Sequence, residues 1–267
     1  MSTKANVIVL SGYGLNCEEE TLFAFNHCGI KGKIVHINDL IERPKILEEY
    51  QIMAVPGGFS YGDDTGSGNA FAQKMKLSIF DALKRFIERD TLTIGICNGC
   101  QILVNLGLVP ALNEYGQRDV AVTYNKTSRY QCRWIDLKIE SASPWYKDIN
   151  TLHIPVAHGE GRFMMEEETL KTLRDNNQIA ARYITPEGNQ AQGEFPYNPN
   201  GSIDDIAALT DKTGRVAAMM PHPERGMFMW QRDDYHERKD QAQRAGKKLP
   251  EEADGMLVFH NAAKYFK

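Results

Sequence analysis

The sequence predicts an α/β fold with three layers, in which helices cover both faces of a largely parallel sheet. Short apolar runs alternate with segments of helical periodicity along much of the chain, and this alternation is typical of sheets whose strands are connected by helices. Several of the apolar runs end in turns rich in glycine or proline. Because 267 residues can bury one sizeable core, we expect residues 1–267 to form a single domain.

The first half of the chain shows the alternation most clearly. Phe71, Met75, Ile79 and Leu83 keep the spacing of one helix face, which predicts an amphipathic helix over residues 69–89. Further helices are predicted at residues 18–28 and 98–106, and strands at residues 7–10, 33–37, 51–55 and 91–96.

The second half of the chain is richer in predicted strands. Extended segments are expected at residues 120–124, 131–140, 152–156, 178–183, 206–209 and 216–220, and a last helix at 255–266. The segment 230–253 carries many charges of balanced sign. We interpret it as a solvated, partly helical insertion before the last helix, with contact to a partner subunit as the alternative.

The residues that follow the strand at 91–96 have the pattern of a nucleophile elbow. Cys97 stands between Gly95 and Gly99 at the point where an apolar run gives way to a helical pattern. A sharp strand-to-helix turn needs such small neighbours, and it exposes its central side chain above the sheet. The helix dipole and the free N–H groups at this position favour a thiolate, so Cys97 is the candidate nucleophile.

The same cysteine belongs to a C-x-x-C pair with Cys100, which leaves other interpretations open. The pair could be a redox couple or half of a zinc site, or both side chains could be buried as small apolar groups. The other three cysteines, Cys17, Cys28 and Cys132, are scattered, so no second C-x-x-C completes a zinc site. We predict no metal site.

Partners for a nucleophilic cysteine occur late in the chain. His222 and Glu224 follow the apolar run at 216–220 and are two residues apart, so in an extended segment they point the same way. The imidazole could face the thiol while the carboxylate orients the other ring nitrogen, as in a catalytic triad. Such a position at the end of a buried strand is typical of active sites in open α/β sheets.

Two glycine-containing turns follow the first and third strands. The Pro-Gly-Gly turn at residues 56–58 can aim backbone N–H groups at an oxyanion, although an ordinary turn would have the same sequence. The turn at residues 12–17 begins like a dinucleotide fingerprint, but Cys17 stands where the third glycine belongs. We therefore interpret it as a simple strand-to-helix turn.

Taken together, these motifs resemble those of the triad-type (class I) glutamine amidotransferases. Within that group, residues 98–101 (Asn-Gly-Cys-Gln), 59–63 (Phe-Ser-Tyr-Gly-Asp) and 158–163 (His-Gly-Glu-Gly-Arg-Phe) are similar to the glutaminase components of phosphoribosylformylglycinamidine synthases, which act in purine biosynthesis. The resemblance runs from Val7 to the end of the chain. It implies a flavodoxin-like fold with some antiparallel strands in its middle.

The resemblance also implies a mechanism and the residues that carry it. Cys97 would attack the side-chain amide of glutamine and form a thioester, His222 would move the protons, and Glu224 would orient His222. We expect the oxyanion to be held by the backbone N–H groups of Gly58 and Asn98. The residues expected to hold glutamine are Gln101, His158, Gly159 and Glu160.

Family resemblance places the second half of the reaction in another polypeptide. Ammonia would pass to a large synthetase subunit, which uses ATP and Mg²⁺ to activate formylglycinamide ribonucleotide; a small third subunit is a further candidate partner. This chain has no Walker A or kinase-like glycine loop, so we expect no cofactor in it. Because a Met-initiated chain begins directly at the glutaminase strand, we expect a separate small subunit.

Two other classes of function are weighed against this interpretation. Related hydrolases that do not channel ammonia share the elbow and the triad, but the motifs at 98–101 and 158–162 argue against them. A non-catalytic binding module would be favoured if Cys97, His222 or Glu224 were missing, and all three are present.

Composition excludes some partners and indicates a compartment. A formal net charge of −4 gives no sign of nucleic-acid binding. No apolar stretch approaches the roughly 20 residues that span a bilayer, and the start of the chain lacks the apolar core of a signal peptide. Five cysteines without a paired framework favour a reducing compartment, so we expect a cytoplasmic protein.

Overall fold

The computed structural model describes residues 5–267 of the chain. Its strands are β1 (Asn6–Ser11), β2 (Lys31–His36), β3 (Ile52–Val55), β4 (Leu92–Ile96), β5 (Ala121–Tyr124), β6 (Gln131–Ile139), β7 (Thr151–His158), β8 (Glu160–Met164), β9 (Ile179–Ile184), β10 (Ile206–Thr210) and β11 (Val216–Met219). Its α-helices are α1 (Glu18–His27), α2 (Ile37–Glu42), α3 (Asn69–Glu88), α4 (Asn98–Asn105), α5 (Glu167–Asp175), α6 (Tyr235–Arg244) and α7 (Gly255–Tyr265).

Within residues 5–267, nine strands form one sheet in the order β2-β1-β3-β4-β11-β10-β9-β6-β7. The neighbours from β2 to β11 pair in parallel, and those from β11 to β7 are antiparallel. The predicted α/β fold with a large, mostly parallel sheet is therefore confirmed. The antiparallel strands are grouped on one side of this sheet, and β5 and β8 form a separate two-stranded sheet.

Helices lie on both faces of the parallel half, which explains why its central strands are apolar throughout. Every residue of β3, β4 and β11 is buried, as expected for strands covered on two sides. The β1–β2 and β3–β4 connections leave the sheet centre in opposite directions, so right-handed crossovers place α1 and α3 on opposite faces. Helix α1 packs with α7, while α3 packs with α4.

Several elements were not expected from the sequence. The predicted second strand extended to Ile37, but this residue begins α2, where His36 caps the helix by accepting from the Asn38 N–H. Strand β8 was missed because its polar, glycine-containing sequence does not alternate, and its register is set by pairing with β5. Helix α5 buries only Leu170 and Leu173, which is too weak a pattern to stand out.

The charged segment 230–253 contains α6, none of whose residues is buried. Its base is held more firmly than its tip. The buried Arg232 side chain pairs with Asp234 and Asp254, and Asp233 contacts His153 of β7 at 2.9 Å. The description of this segment as an insertion in a single domain stays a prediction. None of the helices described between residues 5 and 267 is both long and apolar enough to cross a membrane.

The contact between α4 and β3 leads to a prediction about folding stability. A Cβ atom built at Gly99 would lie 1.8 Å from the Val55 carbonyl oxygen. Gly99→Ala should therefore lower the free energy of unfolding by about 3 kcal/mol through overpacking, as measured by denaturant unfolding. Gly188 has positive φ but open space around it, so the control Gly188→Ala should cost only about 1 kcal/mol. Equal losses in the two variants would contradict the close approach of α4 to β3.

Candidate functional site

Cys97 lies on a strained turn between β4 and α4. Its φ of 52° and ψ of −106° are unusual for a residue with a side chain, and such strain is typical of a nucleophile elbow. The glycines on either side are required by contact, because a Cβ at Gly95 would lie 2.4 Å from the Gly99 carbonyl oxygen. The Cys97 N–H donates to Met219 of β11 at 2.8 Å, which ties the elbow to the neighbouring strand.

His222 and Glu224 follow the end of β11 and form a buried pair. His222 Nδ1 donates to Glu224 Oε1 at 2.6 Å, and both side chains are almost fully buried. The His222 N–H donates to the Pro155 carbonyl of β7 at 2.8 Å, which fixes the backbone. His222 Nε2 and Glu224 Oε2 are buried without a hydrogen-bond partner, so the imidazole keeps one nitrogen free for a reacting group.

Two negative groups control the charge of His222. Burial alone would lower the pKa of the imidazole, but the Glu224 carboxylate and the Cys97 thiolate outweigh it and raise the pKa of His222 well above its usual value. The imidazolium is therefore the favoured form near neutral pH. A thiolate facing an imidazolium is the arrangement that activates a nucleophilic cysteine.

The two residues assigned to the oxyanion hole lie beside this pair. Gly58 has a φ of 153°, and a Cβ on it would lie 2.4 Å from the Gly14 carbonyl oxygen, so the turn requires glycine. Asn98 is the first residue of α4, where a backbone N–H has no acceptor within the helix. The Asn98 side chain accepts from the Ser60 N–H at 3.2 Å. This bond ties the elbow to the turn after β3, but the oxyanion role of both residues stays a prediction.

The residues predicted to hold glutamine are linked to the elbow by hydrogen bonds. Asn98 Nδ2 donates to Gln101 Oε1 at 2.8 Å, and Gln101 Nε2 donates to the Glu160 carbonyl. Glu160 Oε2 accepts in turn from the Ser67 N–H at 3.1 Å. Asn98, Gln101 and Glu160 therefore belong to one buried network, which explains why three separate motifs occur in one chain. Their contact with glutamine stays a prediction.

His158 and Gly159 lie at the end of β7 and in the turn after it. The side chain of His158 packs against Gly161, and Nδ1 lies 3.2 Å from Asn125 Oδ1. Burial and the nearby positive charge of His222 lower the pKa of His158 to about 3, so this imidazole is neutral and cannot act as a second acid. The Gly159 carbonyl accepts from the Asn125 N–H. Glutamine binding by His158 and Gly159 stays a prediction as well.

Cys100 lies in the core behind the elbow. Its side chain is fully buried in α4, and burial raises the pKa of its thiol well above the usual value. All five cysteines are free. Among residues 5–267, neither of the two groups of side chains close enough to hold a metal ion contains Cys100. These contacts favour the third interpretation of the C-x-x-C pair, in which Cys100 is a small apolar core residue.

Sequence reasoning missed two residues that contact the catalytic pair. Cys17 is fully buried, and its Sγ lies within 4.8 Å of ligand atoms of both His222 and Glu224. Arg225 Nη2 donates to the same sulfur at 2.9 Å. In the sequence, Cys17 attracts notice only as the residue that stands in place of a glycine, and nothing there connects it with His222.

Comparison with known proteins supports a family assignment. The chain matches the CobB/CobQ-like glutamine amidotransferase domain over residues 4–266. It is 49% identical over 264 residues to phosphoribosylformylglycinamidine synthase subunit PurQ of Methanococcus maripaludis, with 97% of each chain covered. The subunit of the same name from Dehalococcoides mccartyi is 38% identical over 265 residues, with 98% of each chain covered.

A solved structure agrees with this assignment. A chain in the structure of PurLQS from Thermotoga maritima superimposes with a TM-score of 0.70 at 26% identity, and the match covers 99% of this chain and 100% of that one. The elbow, the His222–Glu224 pair and the full-length similarity point the same way. The chain therefore belongs to the CobB/CobQ-like glutamine amidotransferase family, among the PurQ subunits of phosphoribosylformylglycinamidine synthase.

Proposed function

We propose that this chain is the glutaminase subunit of a phosphoribosylformylglycinamidine synthase in purine biosynthesis, where it hydrolyses glutamine and supplies ammonia to a synthetase. The observation that carries the proposal is Cys97 on a strained elbow beside the buried His222–Glu224 pair, in a chain similar over its whole length to PurQ subunits.

The first step is the attack of the Cys97 thiolate on the side-chain amide carbon of glutamine. A C–S bond forms, and the carbonyl π electrons move to the oxygen. The N–H groups of Gly58 and Asn98 stabilise this oxyanion, and each such donor contributes about 2.7–4 kcal/mol in comparable sites. Gln101, His158, Gly159 and Glu160 hold the rest of the substrate.

The second step releases ammonia and the third releases glutamate. The His222 imidazolium gives its Nε2 proton to the leaving nitrogen as the C–N bond breaks, which leaves a γ-glutamyl thioester. His222 then takes a proton from water, which attacks the thioester carbon and displaces Cys97. Glu224 holds Nδ1 and stabilises the imidazolium at both stages.

The ammonia must reach a second active site before it is protonated in water. A large synthetase subunit would bind ATP and Mg²⁺ and use the ammonia, and a small third subunit would complete the assembly. The free state of all five cysteines supports a reducing compartment such as the cytoplasm. The exposed helix α6 is the part of segment 230–253 proposed to contact a partner, since its base is held by Arg232.

The amidotransferase function predicts that assembly raises glutaminase activity. The isolated chain should hydrolyse glutamine slowly, and addition of the synthetase subunit should raise the rate, as measured by glutamate release. A hydrolase that does not channel ammonia would be equally active without the partner. High peptidase activity of the isolated chain would contradict the proposal and favour that second class.

Removal of the nucleophile should separate the two half-reactions. Cys97→Ala should lower glutamine-dependent synthesis by roughly 10⁴-fold or more but leave ammonia-dependent synthesis by the complex intact, because the synthetase site is elsewhere. Cys100→Ser is the matched control and should keep most of the glutaminase activity. Loss of both activities in Cys97→Ala would mean that Cys97 is structural, and equal losses in both variants would revive the redox pair.

Removal of the carboxylate should shift the pH dependence of the reaction. Glu224 raises the pKa of His222, so the imidazolium persists to higher pH than it would alone. Glu224→Gln should lower this pKa, and the alkaline limb of kcat/KM for glutamine should move to lower pH. The acid side should not gain activity, because a lower pKa only shortens the range in which the imidazolium exists. An unmoved alkaline limb would show that Glu224 does not control His222.

A further inference from the structure

Cys17 is held rigidly at the junction of three loops. It is the last residue before α1, and the N–H groups of Asn16 and Cys17 both donate to the Gly57 carbonyl, at 3.0 and 3.2 Å. Its own carbonyl accepts from the N–H and the hydroxyl of Thr21. The backbone on both sides of the thiol is therefore fixed before any contact with the catalytic residues is considered.

The Cys17 thiol shares a small space with the catalytic imidazole. A Cβ atom built at Gly57 would lie 2.7 Å from His222 Cε1 and 3.2 Å from Cys17 Sγ, so the sulfur and the ring edge face the same backbone atom. Burial raises the pKa of the Cys17 thiol, which keeps it neutral. The sulfur accepts from Arg225 Nη2 at 2.9 Å, and the S–H can donate to Asn16 Oδ1 at 3.4 Å.

Arg225 is the group that could disturb the catalytic pair. Its half-buried guanidinium lies close enough to Glu224 for the two charges to interact. Glu224 Oε2 nevertheless has no hydrogen-bond partner. A guanidinium normally pairs with a nearby carboxylate, and such a pair would be strong in a buried site. Here the guanidinium donates to sulfur instead, and the carboxylate is left to His222.

We propose that Cys17 is a positioning residue whose thiol holds the Arg225 guanidinium away from Glu224 and so reserves this carboxylate for His222. The inference rests on the proposed glutaminase function for its meaning, but not for its geometry. The groups that face His222 are Glu224, Cys97, Cys17, His158 and Tyr130, and those that face Arg225 are Cys17, Glu224 and Glu20.

The proposal is tested by the pH dependence of three variants of the full chain. In Cys17→Ala the guanidinium loses its acceptor and turns to Glu224, so the imidazolium is weakened and the alkaline limb of glutaminase kcat/KM should move down by about one pH unit. Cys17→Ser keeps an acceptor and should match the parent protein. Cys17→Ala/Arg225→Met has no competing guanidinium and should return toward the parent profile.

A second readout does not depend on glutamine. Alkylation of Cys97 by iodoacetamide, followed on its own peptide by mass spectrometry, reports the thiolate–imidazolium pair. At pH 7 its rate should fall about tenfold in Cys17→Ala and recover in the other two variants. Cys28→Ala removes a cysteine just after α1, at its other end, and is the matched control. If the parent protein lacks glutaminase activity, the proposed function fails while the alkylation rates still decide the role of Cys17.

Three results would overturn the inference: an unchanged alkylation profile in Cys17→Ala, a shift in Cys17→Ser as large as in Cys17→Ala, or no recovery in the double variant. Thermal melting of each variant separates these results from loss of the fold. If Cys17→Ala does not fold, Cys17→Val fills the space without providing an acceptor and is expected to show the same shift.

Discussion

The site depends on one constraint, the close approach of α4 to the ends of the central strands. Gly99 touches the Val55 carbonyl of β3, and the Cys97 N–H is bound to Met219 of β11. Between these two contacts the chain has no room for a relaxed turn, so Cys97 takes a positive φ that its side chain disfavours. The strain is maintained by the packing of a fully buried sheet, and it is what raises the thiol above the strand ends.

The other functional groups are placed by the same strand ends. Gly58 follows β3, Asn98 follows β4, His222 follows β11, and Cys17 lies at the end of the loop after β1. Parallel strands bring their carboxyl ends to one edge of the sheet, so residues distant in sequence meet there. The hydrogen bonds from Ser60 to Asn98, and from Gln101 to Glu160, then join these loops into one unit.

The sequence predicts the parts of the molecule that depend on local pattern. The elbow could be recognised because only glycine fits at 95 and 99, and the helix α3 because its apolar residues repeat along one face. The contact of Cys17 with Arg225 could not, since 208 positions separate the two residues and neither has a distinctive neighbourhood. Strand β8 and helix α2 were missed for a related reason: pairing with β5 and capping by His36 define them more than their own composition does.

The antiparallel half of the sheet also takes part in the site, which its topology alone would not suggest. Strand β7 lies four positions from β11 in the sheet order, yet the Pro155 carbonyl accepts from the His222 N–H, and the Ala157 carbonyl lies 3.7 Å from Cys97 Sγ. The edge of the sheet must therefore curve back over the strand ends, in the sense that strong twist permits. It forms a wall opposite the elbow, which leaves Cys97 only 4% exposed. A nucleophile so enclosed is shielded from bulk water, and electrostatic pairing with His222 is correspondingly stronger there than it would be at an open surface.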